Sequence, residues 1–108
     1  MRNNVVQLTG YVGDSPKIFI SKDGVKRAII RVATHSQIKY GVDKPVFGTT
    51  WHEVVAWDKT ADLAERSFVK GSHILVWGSL RYRKYVDKSG LLREVAEIKA
   101  NSLNNLDR

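Results

Sequence analysis

The chain has 108 residues, enough for one domain around one modest core. It has no cysteine, which excludes disulfides and thiolate metal sites, and no apolar run approaches the ~20 residues that a membrane helix needs. Eighteen Lys and Arg against eleven Asp and Glu give a formal net charge of +7, the balance of a protein with a polyanionic partner or of a basic domain whose charge serves solubility.

The lack of cysteine leads to the expectation of a reducing cytoplasm, and the start, Met1-Arg2-Asn3-Asn4, leads directly into a strand-like run without the apolar core of a signal peptide. Val5 to Val12 is rich in β-branched residues, and Gly10 within it marks a bend or bulge. Gly13-Asp14-Ser15-Pro16 is a turn signal. Lys17 to Ile20 then pairs with Val25 to Thr34 through a hairpin with Asp23-Gly24 at its tip. In the second arm Ala28, Ile30 and Val32 alternate with Arg27, Ile29 and Arg31, which sends one apolar row inward and both arginines outward. His35 to Thr49 lacks periodicity and reads as a long loop. Thr50 to Trp57 is the next strand, with Trp51, Glu53, Val55 and Trp57 on one face and His52, Val54 and Ala56 on the other.

Asp58 is placed to cap a helix of about three turns, in which Ala61, Ala64 and Phe68 recur at helical spacing and Lys70-Gly71 supplies the stop. Ser72 to Val86 is a long strand with Ile74, Val76 and Leu80 inward. Asp87-Lys88-Ser89-Gly90 is a turn, and Leu91 to Ala100 returns with Leu92, Ala96 and Ile98 in register. The polar tail from Asn101 is expected to fray, so the domain is drawn over residues 1–103 with a short tail at 104–108. Three strands, a helix and two strands make an all-β chain. The order suits an OB-fold, a five-stranded Greek-key barrel with one short helix between strands three and four, or an open sheet covered by that helix.

Catalytic patterns are missing from the sequence. His35, His52 and His73 are scattered without metal-ligand spacing, and there is no Gly-x-Ser-x-Gly, P-loop or carboxylate pair in a shared apolar setting. Asp58 and Asp62 fall on the helix, where capping and solvation account for them. Neither an enzyme nor a cofactor or metal is expected. Binding is better supported. Arg81-Tyr82-Arg83-Lys84-Tyr85 interleaves cations with rings, and Lys88 and Arg93 extend the positive field. Cations neutralise phosphates while ring faces stack on bases of any identity. Trp51 and Trp57 share a face and lie ~20 Å apart along it, and the opposite face already offers Val54 and Ala56 to the core. Arg31 joins this set by its outward position. Trp77 and Leu75 are also outward, an apolar pair better suited to subunit association than to nucleic acid. His52 reads as a half-buried histidine and is grouped with them at the subunit contact.

Asn4-Val5-Val6-Gln7-Leu8-Thr9-Gly10, Asp14-Ser15-Pro16, Thr50-Trp51-His52-Glu53-Val54-Val55, Lys70-Gly71-Ser72 and the run from Arg81 through Gly90 resemble, in order from Asn3 to Leu103, successive blocks of the bacterial single-stranded DNA-binding protein family. The resemblance implies an OB-fold, a homotetramer, and sequence-independent coating of single-stranded DNA in replication, recombination and repair. It implies stacking by Trp51, Trp57 and Tyr85, and charge from Arg81, Arg83, Lys84, Lys59 and Lys70. A further family tryptophan aligns near Ile38, for which Tyr40 is the substitute. The position after His52, often basic in the family, is Glu53. Family members usually continue into a flexible linker with an acidic tip that recruits replication enzymes, and recruitment by that route is not expected here. RNA is an alternative strand, because stacking does not sense the 2′-hydroxyl. The rival functions are a primosome accessory protein of the same fold, an interaction protein that has lost strand binding and, least supported, a nuclease.

Overall fold

Period-two alternation and β-branched content drive most of the chain into six strands and one helix: β1 (Val6–Val12), β2 (Lys17–Ile20), β3 (Lys26–Lys39), β4 (Val46–Trp57), α1 (Asp58–Ser67), β5 (His73–Val86) and β6 (Leu92–Asn105). The computed structural model describes residues 3–39, 43 and 45–107. Five strands close on themselves in the order β1-β5-β6-β4-β3, and β3 returns to β1 through Tyr11↔Ala33 and Val12↔Val32. All neighbours run antiparallel except β4 and β6, which are parallel at Val54↔Ile98 and Val55↔Lys99. The short β2 is the hairpin partner of β3 and stands outside the ring. The closed OB barrel therefore forms, not the open sheet, with α1 between the third and fourth barrel strands.

One row from each strand fills the interior. Ala28, Ile30, Val32, Val54, Ala56, Ile74 and Val76 are fully buried, with Ile98, Ala100 and Leu103 of β6 beside them. Ala61 and Ala64 of α1 and the adjoining Phe68 join the same core, so the small side chains let the helix lie close to the barrel. Burying a side chain the size of Phe68 contributes about 1.5–3 kcal/mol. Lys26 at the start of β3 ties the helix down by ion pairs to Asp62 and Glu65. These hydrogen bonds, that to Asp62 first, hold the Lys26 amine above its usual value, and Lys26 holds the Asp62 carboxyl below its own.

Several expectations are corrected. The long loop from His35 to Thr49 is largely strand, since β3 and β4 stay paired through Thr34↔Thr50, His35↔Thr49, Ser36↔Gly48 and Gln37↔Phe47. A ribbon that projects past the barrel has no buried face, so it needs no apolar periodicity. Asp58 does not cap α1. Trp57 occupies the cap position without a side-chain hydrogen bond, and Asp58 is the first helical residue with a left-handed φ of 52°, a conformation aspartate tolerates better than most residues. The helix stops at Ser67, and Gly71 (φ 90°) serves the turn into β5, donating its N–H to Val12 O at 2.7 Å.

Leu80 is 38% exposed instead of inward, because its ladder partner Ile98 is the last residue of β6 on that side to pair with β4, so Leu80 stands at the rim and the hairpin projects beyond it. Leu92 and Ala96 are exposed for the same reason. The tail does not fray at Asn101. Leu103 is buried, Asn105 Nδ2 donates to Ser67 O at 2.6 Å, and Leu106 N–H donates to His73 O at 2.8 Å.

Barrel closure brings backbones unusually near one another at two glycines. A β-carbon at Gly10 would collide with the carbonyl oxygen of Ala33, and one at Gly78 with that of Lys99. Gly10→Ala and Gly78→Ala are each expected to lower stability by about 1–3 kcal/mol, measured as a shift of the urea midpoint. Wild-type midpoints would show that the strands can part at no cost.

Candidate nucleic-acid interface

The outward row of β3 and β4 is the counterpart of the core row. Arg27, Ile29, Arg31 and Ala33 stand opposite Trp57, Val55, Glu53 and Trp51, and β2 adds Phe19 opposite Arg27 and Lys17 opposite Ile29. Cations and rings are in contact along this face. The Arg31 guanidinium carbon lies 4.6 Å from the Trp51 ring centroid, and that of Arg27 lies 4.9 Å from Phe19 and 5.9 Å from Trp57. Trp51 also packs against Gly13, where a β-carbon would strike its six-membered ring. It remains 48% exposed, and Phe19 45%. Two concavities flank Phe19. One, of about 360 Å³, includes Ile29, Arg31 and Glu53, and the other, of about 250 Å³, includes Arg27 and Trp57.

Phe19 and Arg27 are the members of this face that the sequence reading missed as site residues. Phe19 sits between Ile18 and Ile20 in a short apolar run that resembles core. The available signal was the hairpin register, which sets Phe19 across from the outward Arg27 and leaves Ile18 opposite the buried Ala28.

The β5–β6 hairpin supplies the second part. Arg81, Arg83 and Tyr85 pair across the ladder with Glu97, Val95 and Arg93, while Tyr82 and Lys84 alternate to the other side. Arg83 Nε donates to Glu97 Oε1 at 2.9 Å, its Nη2 stands 3.9 Å from Glu53, and its guanidinium carbon lies 5.4 Å from the Tyr85 ring centroid. Glu97 is 3% exposed, so Arg83 is committed to neutralising a covered carboxylate and to positioning a ring. Among the described residues Arg81, Lys84 and Lys88 make no ion pair and are exposed. Asp87 fixes the hairpin tip by accepting from the N–H groups of Ser89 and Leu91 and from Arg93 Nε at 2.7 Å. Arg93, then the Leu91 N–H, holds its carboxyl below the usual aspartate value.

The remaining expected residues lie elsewhere. Lys59 is exposed on the first turn of α1, and Lys70 in the turn before β5. Tyr40 falls outside the described residues, as does the side chain of Ile38. Trp77 (44% exposed) and Leu75 do share a second outward face, opposite Gln7 and Thr9 of β1, next to Tyr11 stacked on His73 at 4.7 Å. His52 is not brought to them. It follows the inward row of β4 and shares a hydrogen bond with Thr34 Oγ1 at 2.9 Å. No three described His, Asp or Glu residues form a group that could hold a metal ion.

Arg83→Ala is expected to destabilise the fold by about 1–3 kcal/mol in a urea melt, because it strips the Glu97 carboxylate of its hydrogen-bonded cation. Arg81→Ala and Lys84→Ala should stay within about 0.5 kcal/mol of wild type. Equal effects in all three would mean that the Glu97 contact carries no stability.

The same architecture occurs in known proteins. A solved structure of a Plasmodium falciparum SSB in complex with ssDNA matches with a TM-score of 0.87 at 29% identity, over 99% of this chain and 97% of that one. Single-stranded DNA-binding protein 1 of Xylella fastidiosa (strain 9a5c) is 35% identical over 109 residues, covering 97% of this chain and 78% of the relative. The single-stranded DNA-binding protein of Xanthomonas campestris pv. campestris is 32% identical over 103 residues, covering 95% of this chain. The chain spans 60% of the length of that relative and 57% of the one from Xanthomonas axonopodis pv. citri. The model of the single-strand binding protein family matches residues 3–106, and the chain belongs to that family.

Proposed function

We propose that this protein binds single-stranded DNA without a fixed recognition sequence, and so covers unpaired strands during replication, recombination and repair. The observation that carries the reading is the outer face of β2, β3 and β4, where Trp51, Phe19 and Trp57 alternate with Arg31 and Arg27 on a surface the core does not need. Rings accept any base by stacking, and cations beside them meet the phosphates. Relatives named for single-stranded DNA binding, and a structural neighbour in complex with ssDNA, support the same reading. It is binding without chemistry. The protein's place is the cytoplasm, at the nucleoid.

Within the site, Trp51, Trp57, Phe19 and Tyr85 stack. Arg81, Lys84 and Lys88 meet phosphate, and Lys59, Lys70 and Tyr40 extend the path. Arg31 begins on the Trp51 ring and moves with the strand, whereas Arg83 stays with Glu97 and orients Tyr85.

Titration with oligothymidine is expected to quench tryptophan fluorescence, with affinity falling as salt rises. Trp51→Ala should weaken binding about tenfold with the salt slope intact, since stacking on one ring contributes about 1–3 kcal/mol. The double variant Arg81→Ala/Lys84→Ala should lower the slope by about 1.4, or about 0.7 for each lost phosphate contact. Flat fluorescence with no binding at low salt would refute the reading and favour an interaction protein that kept the fold.

We further propose that the chain forms a homo-oligomer, a tetramer, through the Trp77 and Leu75 face. An exposed tryptophan beside Leu75 and the Tyr11–His73 stack is the apolar area that a second copy would cover. Light scattering should give four times the 12.2 kDa chain mass, and Trp77→Asp should reduce it. A dimer would favour the primosome accessory alternative, and a monomer at micromolar concentration would overturn the assignment of this face.

A further inference from the structure

The pocket beside Phe19 differs from a plain stacking platform. We infer that it is a single-base subsite that prefers bases carrying an exocyclic amino group, and that Glu53 makes the choice. The inference rests on the strand-binding reading above.

At about 360 Å³ the pocket lies at the small end of the range for small-molecule sites, ~300–1,000 Å³, on the row of rings itself. Phe19 and Ile29 give it apolar walls suited to the faces of a base. Lys17 and Arg31 place positive charge at its edge, where a phosphate would pass. The carboxylates on the lining are Asp14 and Glu53, and a carboxylate only accepts hydrogen bonds.

Glu53 has acceptor capacity to spare. It pairs in register with Arg31, but the Arg31 guanidinium is over the Trp51 ring. Among the described residues its one ionic contact is Arg83 Nη2 at 3.9 Å, too long for a hydrogen bond. Its side chain is 34% exposed, open enough for a ligand to reach. The amino group of cytosine donates at the base edge, and a glutamate accepting from cytosine N4 is an established pairing. Uracil and thymine carry a carbonyl oxygen at that position, which would face the carboxylate acceptor to acceptor. The surrounding cations hold the strand whichever base is present, so the site sets a preference and not a requirement.

The test uses the full chain with oligodeoxycytidine and oligodeoxyuridine of equal length at one salt concentration. The two strands differ at the edge in question without the added thymine methyl. Wild type is expected to bind the cytidine strand about three- to tenfold more tightly, the value of one hydrogen bond. E53Q, whose amide both donates and accepts, should bring the ratio close to one. A wild-type ratio at or below one overturns the inference, and this readout does not depend on the variant folding. An equal gain in affinity for both strands in E53Q also overturns it, since Glu53 would then act only by repelling phosphate. Failure of wild type to bind either strand would remove the strand-binding reading together with the subsite. Binding of both without preference would remove the subsite alone.

Discussion

The interior of a five-stranded barrel admits one side of each strand. Here that space is filled by Ala28, Ile30 and Val32 of β3, Val54 and Ala56 of β4, and their counterparts on β5 and β6. The other row of every strand must find another environment. On β1 and β5 it presents Trp77, Leu75 and a stacked Tyr11–His73 pair, and on β2, β3 and β4 it presents rings interleaved with arginines. The closure is tight enough that Gly10 and Gly78 leave no room for a β-carbon. The outer faces are thus held by a backbone with little freedom to flatten.

Charge is distributed by the same geometry. Of the cations on the β5–β6 hairpin, Arg83 is drawn in by Glu97 and Glu53, and Arg93 by Asp87. Arg81, Lys84 and Lys88 are left to act on solvent and ligand. The basic segment therefore divides into structural and available charges by which side chain reaches a carboxylate, and not by register: Glu97 stands opposite Arg81 and Glu94 opposite Lys84, yet Arg83 takes Glu97 diagonally. Arg83 links the β5–β6 hairpin to β4, because the same guanidinium touches Glu97, approaches Glu53 of β4 and lies near Tyr85.

Arginine over tryptophan has a consequence for binding. In the free protein the Trp51 ring has Gly13 at one side and a guanidinium over it. Any group that stacks on that face of Trp51 must displace Arg31 or stack on it. The cost of leaving a tryptophan exposed is lowered in the absence of ligand by contacts that are easily exchanged.

The alternation of residues determined much of this protein without reference to its three-dimensional structure. Arg27 to Val32 and Trp51 to Trp57 each separate into two rows, because the strand period is fixed by covalent geometry, although Val55 in the row with Trp51 and Trp57 is also buried. The turn at Asp87 to Gly90, the outward placement of Trp51, Trp57 and Trp77, and the interleaved cations of β5 were equally legible. Features that depend on partners distant in sequence were not. Residues 35–39 and 46–49 are strand because they pair with each other, and a ribbon clear of the core leaves no hydrophobic signature. The tail beyond Ala100 is ordered by Ser67 and His73, and Leu80 is exposed because the hairpin outruns the barrel. Phe19 stands beside the arginines by its register with Arg27, and Arg83 is occupied because it reaches diagonally across the ladder to Glu97, whose register partner is Arg81. Sequence patterning sets which way a side chain points; only the tertiary structure decides what it meets there, since that is a property of two strands and not of one.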